Sequence, residues 1–246
     1  MDNSWYFPTE GIRLDIGEVH LWLISLLGDD KLIQEFTGII SQEERDRAER
    51  FNSQSAKIGF ILGRGHIHQI LSSYLDVNPA NIQFEYSLNG KPEISNEYIN
   101  SDLQFNYSQS RNLGLIGITK NRCIGVDIEK ISEDMDFQPV AHRFFTPNEL
   151  GYLSQLPEDT QRIGFFRIWA AIEAYLKAIG IGLSRSFSQL DIALPKLEEV
   201  DHYSFQDQRD RMSWLIQWVS AYPGYISAVT VPGHIDQLKL FQYGKF

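Results

Sequence analysis

The sequence has one cysteine, Cys123, in 246 residues. It therefore has no internal disulfide, and with no CxxC or Cys/His cluster it has no ligand set for structural zinc. Positive charge is also in deficit: 22 Lys and Arg face 32 Asp and Glu, a formal net charge of −10. A nucleic-acid binder needs a basic surplus to displace counterions from phosphates, and an anionic membrane surface selects for the same surplus, so neither partner is expected. No run reaches the ~18 uncharged apolar residues that a membrane span requires. The opening MDNSWYFPTEG has neither a basic start nor an apolar h-region. With the lone thiol, these absences give the expectation of a reducing, cytoplasmic compartment. The Asn106-Tyr107-Ser108 triplet, which fits the glycosylation pattern, is then expected to stay unmodified.

What is present is ordinary for a folded domain and rich in bulky side chains: 43% hydrophobic, 22% charged, with 15 Phe, 11 Tyr and 5 Trp. The length fits one large domain or two small halves. GEVHLWLIS at 17 to 25 alternates as a strand. Ser41 and Glu44 have capping-box spacing, which starts a helix at about 42. Ile58, Ile61, Leu62, Ile67, Ile70, Leu71 and Leu75 recur at threes and fours, giving a helix from Lys57 to Leu75 that stops before Asn78-Pro79. Strand-like runs follow at 81–87, 103–108, 113–119 and 123–131. AHRFF at 141 to 145 reads as a helical turn, Thr146 and Glu149 form a second capping box, and the longest helix is expected from about Thr160 to Ile179 with Gly180 as its left-handed end. LDIAL, SWLIQWVS, GYISAVTV and QLKLFQY close the chain as strands. Strand, helices, strands, repeated once, is the order of two similar α+β halves, 1–115 and 116–246, with a ligand cleft expected between them.

Asp127 and Glu129, two apart in the strand GVDIEK, point both carboxylates to one face while Val126 and Ile128 point to the other. Two like charges in an apolar strand call for compensation, which a hard divalent cation such as Mg²⁺ supplies; an exposed face with two solvated acids satisfies the same spacing. Trp169, Glu173 and Lys177 line one stripe of the long helix, where Glu173 and Lys177 also satisfy an ordinary i,i+4 ion pair. The turn beyond carries Gly180 and Gly182, whose backbone allows close approach of a ligand. His66 and His68 lie about 200° apart on a helix and make poor joint ligands. Gly63-Arg64-Gly65 lacks a third glycine and a Walker lysine, so it reads as helix packing. Cys123 reads as a small buried hydrophobe, and Phe144, Phe145, Phe165, Phe166 and Trp169 read as core.

GVDIE at 125 to 129, RFFTPNEL at 143 to 150 and WxxxEAYLKAxGxGL at 169 to 183 together resemble, in order and spacing, the signature set of the Sfp-type 4'-phosphopantetheinyl transferases. NGKP at 89 to 92, FNYSQS at 105 to 110 and the Arg64-containing helix with SSYLDVNPANIQF extend the resemblance over most of 17–231, toward the cyanobacterial HetI-like branch. The resemblance implies a pseudo-twofold pair of α+β halves with coenzyme A in the cleft. It implies transfer of the phosphopantetheine arm to a serine of an apo acyl or peptidyl carrier protein, with release of 3',5'-ADP. Carried onto this sequence, Asp127, Glu129 and Glu173 hold Mg²⁺, Glu173 or a metal-linked water takes the serine proton, and Lys177 neutralises phosphate. Lys91, Pro92, Ser108, Gln109 and Arg64 are placed near the nucleotide. A monomer is expected, because two halves in one chain already build the cleft.

Three positions depart from the family pattern, and each loses a cation. Gln109 stands where His is usual, Ile172 where Lys is usual, and Gly59 where Arg is usual. Charge-assisted contacts to phosphate are worth ~1.5 to 3 kcal/mol each, so a catalytically weak homologue that holds CoA or a carrier protein is the alternative expectation. Carrier proteins are acidic around their serine, as this chain is overall, so recognition is expected to rest on a local basic or apolar patch.

Overall fold

The computed structural model describes residues 4–8, 11–95, 102–181, 200–207 and 211–244. Strand β1 (Glu18–Ser25) is buried at all eight positions. It has no solvent face because both of its sides are packed: Val19, Leu21 and Leu23 join a cluster with Leu115, Val126 and Val229, whereas Trp22 and Ile24 join Phe36, Leu62 and Ile70.

The chain then forms three helices. α1 (Asp30–Ile39) is capped by Asp29, which accepts the Leu32 N–H at 2.8 Å; it adds to the helices expected above. α2 (Gln42–Ala48) begins at the expected capping box, with Ser41 and Glu44 satisfying each other's backbone N–H groups. α3 (Gln54–Leu75) has 22 residues, one more than α6 (Glu158–Ala178), so the longest helix lies in the first half and not the second. A short hairpin, β2 (Phe84–Tyr86) and β3 (Pro92–Ile94), follows as a sheet of its own. β4 (Leu103–Ser110) and β5 (Leu113–Lys120) then return to β1.

The second half repeats this plan. β6 (Gly125–Lys130) precedes α4 (Gln138–Phe144), α5 (Pro147–Gln155) and α6, and β7 (His202–Gln206), β8 (Ser213–Val219) and β9 (Tyr225–Pro232) complete its sheet. The sheets run β10-β1-β5-β4 and β6-β9-β8-β7, with β10 (Gln237–Tyr243) adding to the first in parallel with β1. In both halves a strand leads into helices and a later hairpin whose second strand pairs back on the first: β1-β5-β4 matches β6-β9-β8. The architecture is α+β with internal pseudo-symmetry. The expected 115/116 division passes through β5, whose pairing with β4 is unbroken from Leu113 to Lys120, and the repeat changes over in the turn at 121–124. The LDIAL run and Gly182 lie outside the described residues.

The inner faces of the two sheets share one apolar core, and the helices cover their outer faces, α3 over the first and α6 over the second. Within the α3 layer sits a buried polar set. Glu44, beyond its capping role, receives Arg64 Nε and, at 2.9 Å, His68 Nε2. Burial alone would push Glu44 up, but the His68 hydrogen bond and the Arg64 charge pull it down to about 2. Tyr74 of α3 accepts from the Trp22 indole and faces His20 Nδ1, both at 2.8 Å. Burial lowers His20 and His66 to about 4.

These shifts set the acid limb of stability. His20 and His66 titrate near 6.5 once exposed and near 4 when folded, so the unfolded state binds more protons in between. Stability should drop as pH falls from 6.5 to 4, by at most about 3 kcal/mol per histidine, and Glu44 should extend the loss below its ordinary range near 4.5. Urea denaturation at pH 7 and pH 5 checks this, with His66→Gln expected to shrink the difference. Equal stability at the two pH values would contradict it.

Candidate active site

The site begins with a close approach between β6 and α6. A Cβ on Gly125 would collide with the Ala174 carbonyl oxygen and the Ala178 amide, so only glycine lets α6 lie this near the strand. The approach brings Asp127 and Glu129 of β6 beside Glu173 and Lys177 of α6. Lys177 Nζ lies 2.6 Å from Asp127 Oδ1 and donates to Ser108 Oγ at 2.8 Å. Among the described residues Glu173 forms no ion pair with Lys177: the i,i+4 alternative gives way to a pairing across the two elements.

β4 and β6 are facing sheet edges, joined by side chains where no backbone ladder forms. Asn106 Oδ1 accepts the Val126 N–H at 2.9 Å. Ser108 donates to Asp127 Oδ1 at 2.8 Å, and Ser110 donates to Glu129 Oε2 at 2.9 Å while accepting the Lys130 N–H at 3.0 Å. The period-2 pattern Asn-x-Ser-x-Ser inside FNYSQS therefore meets the period-2 pattern Asp-x-Glu of the facing strand. From the sequence, neither Asn106, taken there only as part of a glycosylation triplet, nor Ser110 is assigned to the site, although the alternation of small polar residues in FNYSQS is the available signal.

The electrostatics are unfavourable as the carboxylates stand. Glu173 is buried, and desolvation outweighs the Lys177 charge; with repulsion from Asp127 and Glu129 it is pushed up to about 7. Glu129 is raised for the same reasons, desolvation first and Asp127 second, despite the Ser110 hydroxyl. Asp127 Oδ2 and Glu173 Oε1 are buried and accept no hydrogen bond. Two orphaned oxygens among three hard carboxylates suit an oxygen-seeking divalent cation. Among the described residues, no three Asp, Glu, His or Cys side chains stand together closely enough to form a metal shell.

A groove of about 210 Å³ opens beside this cluster, lined by Lys91, Pro92, Tyr107 and Lys177 and closed by Gly180 at the end of α6. Gly180 has φ +68°, and the Ile181 N–H returns to the Leu176 carbonyl at 3.0 Å, ending the helix as the sequence implied. Lys91 turns its ammonium into the wall, donating to the Lys177 carbonyl at 3.0 Å, and burial lowers its pKa. Gln109 is exposed and its Oε1 accepts the Tyr107 hydroxyl at 2.6 Å. Arg64 is not among the groove residues: its guanidinium pairs with Glu44 and stacks 4.4 Å from the Phe84 ring centre. Ile172 is buried in the α6 core, whereas a Cβ at Gly59 would meet nothing within 4 Å. His66 and His68 point to different partners, the Ser25 carbonyl and Glu44, and share no ligand.

Residues 123–229, which contain all three carboxylates and Lys177, match the model of the 4'-phosphopantetheinyl transferase superfamily. Over 243 residues, 99% of this chain and all of the relative, the chain is 32% identical to 4'-phosphopantetheinyl transferase HetI of Nostoc sp. strain PCC 7120. It is 32% identical over 194 residues to a putative 4'-phosphopantetheinyl transferase of Synechocystis sp. strain PCC 6803, covering 79% of this chain and 76% of that one. It is 26% identical over 196 residues to 4'-phosphopantetheinyl transferase Sfp of Bacillus subtilis strain 168, covering 80% and 84%.

The raised Glu173 makes the site a cost to folding. Its folded value near 7 exceeds the ordinary 4.5, so stability is lost as pH rises through that interval. Glu173→Gln should therefore be more stable than the parent at pH 8 without divalent cations, by about 1–3 kcal/mol, with the advantage gone at pH 4.5. Chemical denaturation at both pH values checks this, and a variant less stable at both would contradict it.

Proposed function

The chain belongs to the 4'-phosphopantetheinyl transferase superfamily, and from that premise we propose that it transfers the 4'-phosphopantetheine arm of coenzyme A to a serine of an apo acyl or peptidyl carrier protein, with Mg²⁺ as its metal. The observation that carries this reading is the set of buried Asp127 and Glu173, each with an unpartnered oxygen, and half-buried Glu129, beside Lys177 and an open groove. In the reaction the carrier serine oxygen bonds to the phosphorus of the phosphopantetheine arm. The bond from that phosphorus to the bridging oxygen breaks, and its electron pair leaves on 3',5'-ADP. The serine proton goes to Glu173. Lys177, held between Asp127 and Ser108, offers a fixed positive charge to the phosphates. Asp127, Glu129 and Glu173 would hold the cation, which offsets negative charge on the departing phosphate. Ser108 and Ser110 keep Asp127 and Glu129 from turning away.

A second reading, a weak transferase, is favoured by three positions that supply no cation. Gln109 presents a neutral amide, Gly59 presents no side chain, and Ile172 faces the core. Ile172→Lys would bury a charge among apolar side chains, so the informative restorations are Gln109→His and Gly59→Arg.

The test is the intact mass of apo carrier proteins after incubation with this chain, CoA and Mg²⁺. The parent should add the phosphopantetheine mass, and Asp127→Ala and Glu173→Ala should add none. A shift seen only with Gln109→His or Gly59→Arg would select the weak-transferase reading. No shift with any carrier or variant, from folded protein, would contradict both.

A further inference from the structure

We propose that Lys91 is a positioning residue, whose ammonium fixes the C-terminal turn of α6 to the start of β6 and so holds Lys177 and Asp127 in register, instead of touching a substrate phosphate. The proposal rests on the transferase reading above and assigns this groove residue a different task from the one its motif implies.

An ammonium has three N–H donors, and three backbone carbonyls surround this one: Lys177 at 3.0 Å, Ile124 at 3.4 Å and Ala178 at 3.5 Å. Two belong to the last turn of α6, where carbonyls lack the usual intrahelical donors and a positive charge is favoured. The third lies just before β6, the strand of Asp127 and Glu129. One side chain thus spans both elements that supply the charge cluster. Asn89 works from the same turn, donating to the Gly180 carbonyl at 2.6 Å. The turn itself is tied down: Gly90 N–H reaches the Ser87 carbonyl at 2.8 Å, Ser87 N–H the Lys91 carbonyl at 2.9 Å, and Lys91 N–H the Ser87 hydroxyl at 3.1 Å. If Lys91 swung to a phosphate it would abandon the end of the helix whose last turn carries Lys177.

The test compares the parent with Lys91→Met and Asn89→Ala, in three measurements: CoA affinity by calorimetry, transfer rate to an apo carrier protein, and amide exchange of residues 177–181. Lys91→Met should lower kcat about tenfold or more, keep the CoA Kd within about threefold, and speed exchange of the α6 terminus about tenfold. Asn89→Ala removes no charge and should lower kcat in the same direction, by about threefold. Weakening of CoA binding by about tenfold in Lys91→Met, with Asn89→Ala unchanged, would put the ammonium on a phosphate and overturn the proposal; so would an unchanged kcat. If Lys91→Met does not fold, Asn89→Ala decides by its kcat and exchange rates. If the parent transfers nothing, the transferase reading fails on its own, and CoA affinity and exchange still decide the role of Lys91.

Discussion

Three carboxylates, buried Asp127 and Glu173 and half-buried Glu129, repel one another where β6 meets α6, and neighbouring side chains hold two of them in place. Left to itself such a cluster would protonate or open, and the rise of Glu173 toward 7 is the first of these responses. What opposes the second is specific. Lys177 pairs with Asp127, Ser108 and Ser110 hold one carboxylate each, and Gly125 lets α6 lie close against β6.

The internal repeat explains why this cluster sits where it does. Each half ends its sheet in an open edge, β4 in the first and β6 in the second, and the inner apolar faces of the two sheets bring those edges together. Open edges are normally a liability. Here the missing backbone ladder is replaced by Asn106, Ser108 and Ser110, and the replacement is the means by which one half orients the charged residues of the other. The hairpin of β2 and β3 adds a second tie through Asn89 and Lys91. The groove is therefore a product of the junction, built by neither half alone.

Much of this was legible in the sequence because it depends on local pattern. The capping boxes at Ser41 and Thr146, the left-handed Gly180, the period-2 strands and the pair Asp127 and Glu129 all follow from spacing alone. The partners did not. Glu44 reads as a surface cap, yet it is the buried acceptor for Arg64 and His68, because nothing in α2 announces which side α3 will cover. For Glu173 and Lys177 the spacing leaves an i,i+4 pair open, and the fold instead turns Lys177 to Asp127 of β6 and Ser108 of β4. Ile172 reads as a lost cation in the groove, whereas its place on α6 is in the core. In each case the residue type was readable and the tertiary neighbour that decides its role was not.

The central proposal is that Asp127, Glu129 and Glu173 together take a divalent cation. The most direct measurement is calorimetric titration with Mg²⁺ at pH 7 in two buffers of different ionisation enthalpy, on the parent and on Glu173→Gln. Because burial and the neighbouring carboxylates raise Glu173 to about 7, binding to the parent should release protons, and binding to Glu173→Gln should be weaker and release fewer. Binding of equal strength to both proteins, without proton release from either, would contradict the account.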